Sequence, residues 1–203
     1  MKVSIITVAY NAADTIEDTL RSVLCQTHPD VEYIVVDGAS SDGTLEIIDR
    51  FYGRIDVLVS EPDAGIYDAM NKGLALCTGD LVGMLNSDDT FADSDVLAEV
   101  VNAVQHSGAD ACYADLHYVQ RDDPSKVQRY WKSGNYKRAS FRFGWMPPHP
   151  TFFLKREAYE RYGNFRTALR SSADYELMLR MLYKEGLTAT YLPRVTVKMK
   201  SGG

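Results

Sequence analysis

Four times in its N-terminal half the chain passes from a short apolar stretch, through a break, into residues at helical spacing. The apolar stretches are Val3–Val8, Tyr33–Val36, Ile55–Ser60 and Leu81–Met84. Helices are expected over Thr15–Cys25, Leu45–Phe51, Ile66–Leu76 and Ser94–His106. In the first, Ile16, Leu20, Val23 and Leu24 fall on one face, with Asp14 as the expected N-cap and Glu17 three residues on. In the third, Ile66, Met70 and Leu74 form the expected core stripe. Strands that alternate with helices predict an α/β architecture, a mostly parallel sheet wound with helices.

In such a sheet ligands bind outside the carboxyl ends of the strands. Tyr10-Asn11, Asp37 and Asn86-Ser87-Asp88-Asp89 each follow a strand directly and are expected to meet in one crevice. Two neighbouring carboxylates repel unless a cation neutralises them or water screens them, and hard oxygen ligands suit Mg²⁺ or Mn²⁺ shared with phosphates. The plainer alternative is that Ser87 or Asp88 caps the helix that starts near Asp93. Asp37 offers an acceptor for an N–H of a nucleobase, or an Asx-turn into Gly38. Tyr10 is either a stacking partner or a packing aromatic. The loop after the first strand has neither a lysine-bearing phosphate cradle nor the glycine spacing of a dinucleotide fingerprint. A nucleotide held through its base and a metal-bound diphosphate fits better than a kinase or an NAD enzyme.

A chain of 203 residues with 45% hydrophobic and 25% charged residues can bury one sizeable core, and is expected to form one domain. The net charge of −6 argues against a nucleic-acid polymer as partner. Cys25, Cys77 and Cys112 show neither metal-ligand spacing nor a disulfide framework, which fits a reducing, cytoplasmic setting. Met1-Lys2 leads straight into a strand, so no signal peptide is expected, and no apolar run approaches the roughly 20 residues of a membrane span.

The second half begins with a strand-like run, Ala109–Asp115. From Lys126 to Trp145 basic residues alternate with aromatics such as Tyr130, Trp131, Phe141 and Phe143. This texture suits an anionic membrane interface or a lipid-diphosphate; the plainer alternative is a subregion that packs its aromatics inward. Pro147-Pro148-His149-Pro150-Thr151 is a rigid turn into the strand Phe152–Leu154. A short helix starts at Lys155–Tyr159 and ends at Gly163. The stretch from Ser171 to Arg180 reads as a core-facing helix with Leu177, Met178, Met181 and Leu182 inward. Asp174 lies in its first turn, where a carboxylate also serves the helix dipole. Tyr191–Gly203 reads as a final strand.

Ser4–Asn11, Asp37–Thr44, Gly65–Gly73, Thr78-Gly79-Asp80 and Asn86–Asp89, in this order and spacing, resemble the inverting family 2 glycosyltransferases of GT-A fold, in particular their bacterial surface-polysaccharide branch (O-antigen and exopolysaccharide). The resemblance implies a Rossmann-like central sheet with a smaller acceptor-side subregion: a nucleotide-sugar half over residues 1–108, and an acceptor half with the catalytic base over residues 109–203. It implies that Thr7, Ala9, Tyr10 and Asn11 line the nucleoside pocket and that Asp37 reads the base, commonly uracil. Asp63, Asn71 and Lys72 would lie near the sugar and diphosphate, with an Asp68–Lys72 pair on an exposed helix face as the equal alternative for Lys72. Asp88, with Asp89 beside it, would hold Mn²⁺ or Mg²⁺, and Asn86 and Ser87 would contact substrate. His149 would lie near the sugar or acceptor. The family often has Asp at the position of Asn86, which leaves this chain one carboxylate fewer. It places a catalytic base at the start of a helix such as that of Asp174, usually within Glu-Asp; here Ala173 precedes, and Glu176 stands in reserve.

The implied reaction moves a sugar from a nucleotide-diphosphate sugar, UDP-linked by expectation, to a saccharide acceptor such as an undecaprenyl-diphosphate-linked glycan. The protein would be cytoplasmic or peripheral on the inner face of the membrane. Two rivals stand beside it. A sugar nucleotidyltransferase would want a Gly-rich basic loop that Ala9–Asp14 lacks, and an inactive nucleotide-sugar-binding scaffold would need neither Asp88 nor Asp174.

Overall fold

The computed structural model describes residues 1–201; Gly202 and Gly203, the end of the expected last strand, lie outside them. The strands are β1 (Val3–Ala9), β2 (Val31–Asp37), β3 (Val57–Ser60), β4 (Leu81–Met84), β5 (Asp89–Phe91), β6 (Ala111–Val119), β7 (Val127–Trp131), β8 (Phe153–Lys155) and β9 (Ala189–Lys200). The helices are α1 (Ile16–Leu24), α2 (Thr44–Asp49), α3 (Ile66–Leu76), α4 (Val96–Ser107), α5 (Arg156–Tyr162) and α6 (Ala173–Met178), the last continuing as a π-helical turn over Leu179–Lys184.

All described strands join one sheet in the order β3-β2-β1-β4-β8-β6-β9-β5, with β7 added on β6. The four strands from β3 to β4 are parallel, as the strand–helix alternation predicts. Beyond β4 the sheet is mixed: β8 runs antiparallel to both its neighbours, and β9 pairs parallel with β6 and antiparallel with β5. The outcome is a mixed sheet, parallel from β3 to β4 and flanked by helices.

Strand β1 is buried from end to end, and its period of two sorts its side chains between two cores. Ile6 and Val8 join Ile34, Val36, Met70 and Leu74 on one face. Val3 and Ile5 join Ile16, Leu20, Tyr33 and Val100 on the other. Helix α3 lies unusually close to this sheet: a Cβ on Gly73 would sit 2.5 Å from Cγ2 of Ile6.

Several expected boundaries move. Helix α1 starts after Thr15, not Asp14, and no side chain bonds its end. Helix α2 starts and stops earlier than expected, and β3 begins at Val57, Ile55 forming only a single bridge to Tyr52. Ile66 is not core: it is half exposed at the lip of a cleft, and the buried stripe of α3 is Ala69, Met70, Gly73 and Leu74. Helix α4 has Asp95 as its N-cap and α6 has Ser172, so neither Ser87, Asp88 nor Asp174 is there to cap a helix. In the basic-aromatic segment Tyr136, Phe141 and Trp145 pack together inward, whereas Phe143 is 88% exposed. No helix among the described residues is long and apolar enough to cross a membrane.

Candidate active site

The loops after β1, β2 and β4 open into a cleft of about 960 Å³ at the carboxyl edge of the parallel strands. Its walls include Ala9, Tyr10 and Asn11 from the first loop, Gly38 and Ala39 from the second, Asp63 and Ile66 near the start of α3, and Asn86, Ser87 and Asp88. Tyr10 is 68% exposed, with its ring free for a planar ligand.

The first two loops are laced together by backbone donors. Asn11 N–H donates to Ser40 Oγ (2.8 Å), and Ser41 N–H to Asn11 Oδ1 (2.9 Å). Ala12 N–H donates to Thr44 Oγ1 (2.7 Å) and Ala13 N–H to Asp42 Oδ2 (3.0 Å). Hydrogen bonds from Thr44 and Ala13 hold the Asp42 carboxyl below its ordinary value. This lacing stabilises Asn11 and Ala39 at positive φ, 48° and 61°, a conformation that costs a non-glycine residue about 1 kcal/mol or more. Gly38 must lack a side chain, because a Cβ there would stand 2.5 Å from Asp63 Oδ2 and 3.3 Å from the Tyr10 ring.

Six of the residues singled out from sequence support the cleft or the adjoining core instead of facing the cavity. Thr7 is fully buried and bonded to Tyr33 (3.0 Å). Asp37 is fully buried beneath the second loop; its carboxylate accepts from Ser40 N–H (3.1 Å), Ser40 Oγ (2.5 Å) and Ser60 Oγ (2.7 Å). Both ends of the Asn71 amide are occupied by the backbone of Phe165 (2.9 and 3.0 Å). Lys72 is tied to Glu61 (2.8 Å) and the Pro62 carbonyl (2.8 Å), with Asp68 farther off at 3.8 Å. His149 is buried against the edge of Phe165 (5.6 Å between centroids), and burial pushes its pKa down so that the ring is neutral, Asp174 pulling weakly the other way.

Asp89 is the sixth. It opens β5 opposite Met199, fully buried, and neither carboxyl oxygen has a hydrogen-bond partner among the described residues. Burial first, and then the neighbouring Asp88, raise its pKa well above the ordinary value. Asp88 is therefore the carboxylate that this acid pair presents at the wall.

Among the described residues no three His, Cys, Asp or Glu side chains cluster into a protein-built metal cage. The Asp88 carboxylate with Asn86 and Ser87 alongside fits a divalent cation that takes one protein carboxylate and completes its shell with water and substrate phosphates.

Arg121, Thr15 and Met199 also line the cleft, and the sequence reading did not single them out. Arg121 belongs to the turn between β6 and β7, where Arg121-Asp122-Asp123-Pro124 reads as an ordinary polar turn. Only the sheet order carries it, with Met199 of neighbouring β9, to the cleft. No local pattern signals it.

A second cleft, of about 720 Å³, shares Gly65 and Ile66 with the first and is otherwise lined by Ala64, Tyr67, Asp68, Thr167, Ala168 and Arg170. Tyr67 links it to Asp174: the phenol donates to Oδ1 at 3.0 Å. Glu176, two residues on, is held in a two-point pair by Arg180 (3.0 Å at each oxygen) and touched by Arg166 (3.3 Å).

A family profile described as Glycosyl transferase family 2 matches residues 4–163. The chain belongs to glycosyl transferase family 2. An uncharacterized glycosyltransferase of Mycobacterium tuberculosis is 31% identical over 180 residues, covering 88% of this chain and 68% of the relative. The PGL/p-HBAD biosynthesis glycosyltransferase of Mycobacterium bovis is 29% identical over 204 residues (98% and 77%). Among solved structures, Staphylococcus aureus TarS 1–349 in complex with UDP superposes with a TM-score of 0.80 at 19% identity, covering 98% of this chain. The family 2 chain described here spans 60% of that TarS chain, and its GT-A fold follows from the match.

Proposed function

We propose that this glycosyltransferase is a metal-dependent, inverting enzyme that transfers a sugar from a UDP-sugar to a saccharide acceptor during surface polysaccharide synthesis. The observation that carries the reading is the cleft at the strand ends that joins an exposed aromatic, Tyr10, to an accessible carboxylate, Asp88. TarS has been solved with UDP and with UDP-GlcNAc, and a Pyrobaculum calidifontis mannosyltransferase with GDP-Man and Mn²⁺. The nucleoside lies against Tyr10, Ala9 and the laced loops, and Asp37 acts by fixing the loop that meets the base. Asp88 would hold Mn²⁺ or Mg²⁺, which would offset charge on the diphosphate. Arg121 adds a cation on the same wall.

Residues 1–108 form the donor half and residues 109–203 the acceptor half. The acceptor approaches through the second cleft, beside Tyr67 and Asp174. Its hydroxyl oxygen forms the new bond to the anomeric carbon, Asp174 takes the hydroxyl proton, and the bond to the diphosphate breaks with its electron pair on the departing nucleotide. One base and no protein nucleophile suffice for this displacement. A lipid-linked acceptor, such as one on undecaprenyl diphosphate, accords with exposed Phe143 next to Arg142, an aromatic-basic pair suited to an anionic bilayer on the cytoplasmic side.

Calorimetric titration of UDP, GDP, CDP and TDP, with Mn²⁺ and with chelator, tests the donor half. UDP is expected to bind in a metal-dependent way, and Asp88→Ala to abolish the dependence with an unchanged melting temperature. Metal-independent UDP affinity in the wild type refutes the role of Asp88. Asp174→Asn is expected to keep UDP binding and lose roughly 10²–10⁴ in transfer rate.

A further inference from the structure

We propose that Tyr67 is the positioning residue for the base: its hydroxyl fixes Oδ1 of Asp174 at 3.0 Å, leaving Oδ2 to receive the acceptor's proton. The role rests on Asp174 as base, the reading given above. Tyr67 stands in the first turn of α3 and Asp174 in the first turn of α6, 107 residues apart in sequence. No local constraint brings them together, so the contact is a product of the tertiary fold.

The phenol is itself held. Its ring stacks on Phe165 with centroids 5.7 Å apart and planes 21° from parallel. The backbone of Phe165 is clamped at both N–H and C=O by Asn71, and its ring abuts the edge of buried His149. Asn71 and His149, neither of them at the donor cleft, thus have a common physical role behind the base. Burial and the Asp174 charge raise the pKa of Tyr67, so at neutral pH the phenol is a donor. Among the described residues Oδ2 of Asp174 has no hydrogen-bond partner in the protein.

Other charged and titratable groups nearby are accounted for. His149 is neutral, Glu176 is paired with Arg180 and Arg166, and Asp68 and Arg170 line the adjoining cleft.

Tyr67→Phe removes the hydroxyl and keeps the ring against Phe165. Tyr67→Phe, Asp174→Asn and the double variant are compared by melting temperature, by donor affinity and by the rate of UDP release with UDP-GlcNAc as donor probe. In Tyr67→Phe kcat should fall roughly tenfold while KM for the donor stays put, and the double variant should be no slower than Asp174→Asn. An unchanged kcat in Tyr67→Phe, or losses that multiply in the double variant, overturns the positioning role whatever Asp174 does. Near-wild-type UDP release in Asp174→Asn removes Asp174 as base and overturns the part of Tyr67 in catalysis. A lowered melting temperature in Tyr67→Phe with kcat unchanged marks a structural role only and overturns the proposal.

Discussion

Glu32→Gln removes one charge from the amino edge of the sheet, the edge opposite the cleft. Glu32 is buried on β2, where its carboxylate accepts from Lys2 Nζ (2.8 Å), Ser4 Oγ (2.6 Å), Thr78 N–H (2.7 Å) and Thr78 Oγ1 (2.5 Å). These contacts tie β1 and β2 to the turn before β4. Burial opposes the charge, but the four hydrogen bonds outweigh it and hold the carboxyl at about 2, against an ordinary 4.5. A pKa lowered on folding stabilises the native state above the unfolded value, and that stability is lost as pH falls through 4.5 towards 2. Linkage converts the difference to about 3 kcal/mol at pH 7, about 2 at pH 3.5 and about 1.4 at pH 3. The wild type and Glu32→Gln should therefore differ by about 3 kcal/mol in urea unfolding at pH 7, with the gap at least halved at pH 3. UDP affinity should not change, because Ser4 lies roughly 16 Å along β1 from Ala9 at the cleft. A gap that is independent of pH, or smaller than about 0.5 kcal/mol at pH 7, would refute the assignment of this stability to the Glu32 charge.

Two further substitutions separate packing from binding. Gly73→Ala forces a methyl to within 2.5 Å of Ile6 Cγ2 in a buried contact; overpacking of this kind costs about 1–3 kcal/mol, to be read as a lowered denaturant midpoint with donor affinity retained. Arg121→Ala removes the cation that the β6–β7 turn brings to the cleft. UDP affinity should fall roughly tenfold to a hundredfold, the range for losing a charged hydrogen bond, with uridine affinity unchanged and no effect on melting temperature. Equal losses for UDP and uridine would place Arg121 away from the diphosphate.

The parallel half of the fold was legible because its signal is local. Each strand is an apolar run, each helix has an apolar stripe, and the chain connects them by crossovers that permit little else. Ile66 misleads for a physical reason: it has helical spacing with Met70 and Leu74, but it is in the first turn of α3, where the helix emerges from the core at the mouth of a cleft. In the mixed half β6, β8 and β9 were legible as apolar runs at Ala109–Asp115, Phe152–Leu154 and Tyr191–Gly203, but their order was not, because β8 enters between β4 and β6 from far along the sequence. Strands β5 and β7 went unread: they are three and five residues long, and β7 is almost wholly exposed, so neither has an apolar run to show.

Sequence patterns marked the loops that line the cleft better than they placed individual side chains. A motif such as Ser4–Asn11 or Asp37–Thr44 constrains a loop as a unit, and residues beneath a loop are as restricted as those on its surface. Asp37 and Asp88 both follow strand ends, but the Asp37 carboxylate has three donors from Ser40 and Ser60 while Asp88 faces the cavity. The difference comes from the neighbours. Ser40 follows a residue at positive φ, whose turn brings the hydroxyl and amide of Ser40 back onto Asp37. Asn86 and Ser87 instead lie with Asp88 on the wall. The same logic divides the acid pair itself: Asp89 enters the β5–β9 ladder, which turns its carboxyl into the interior and raises its pKa, while Asp88, one residue earlier and outside the ladder, is left at the cleft. A strand that begins one residue after Asp88 is thus what makes one acid of the pair available to a ligand and withdraws the other.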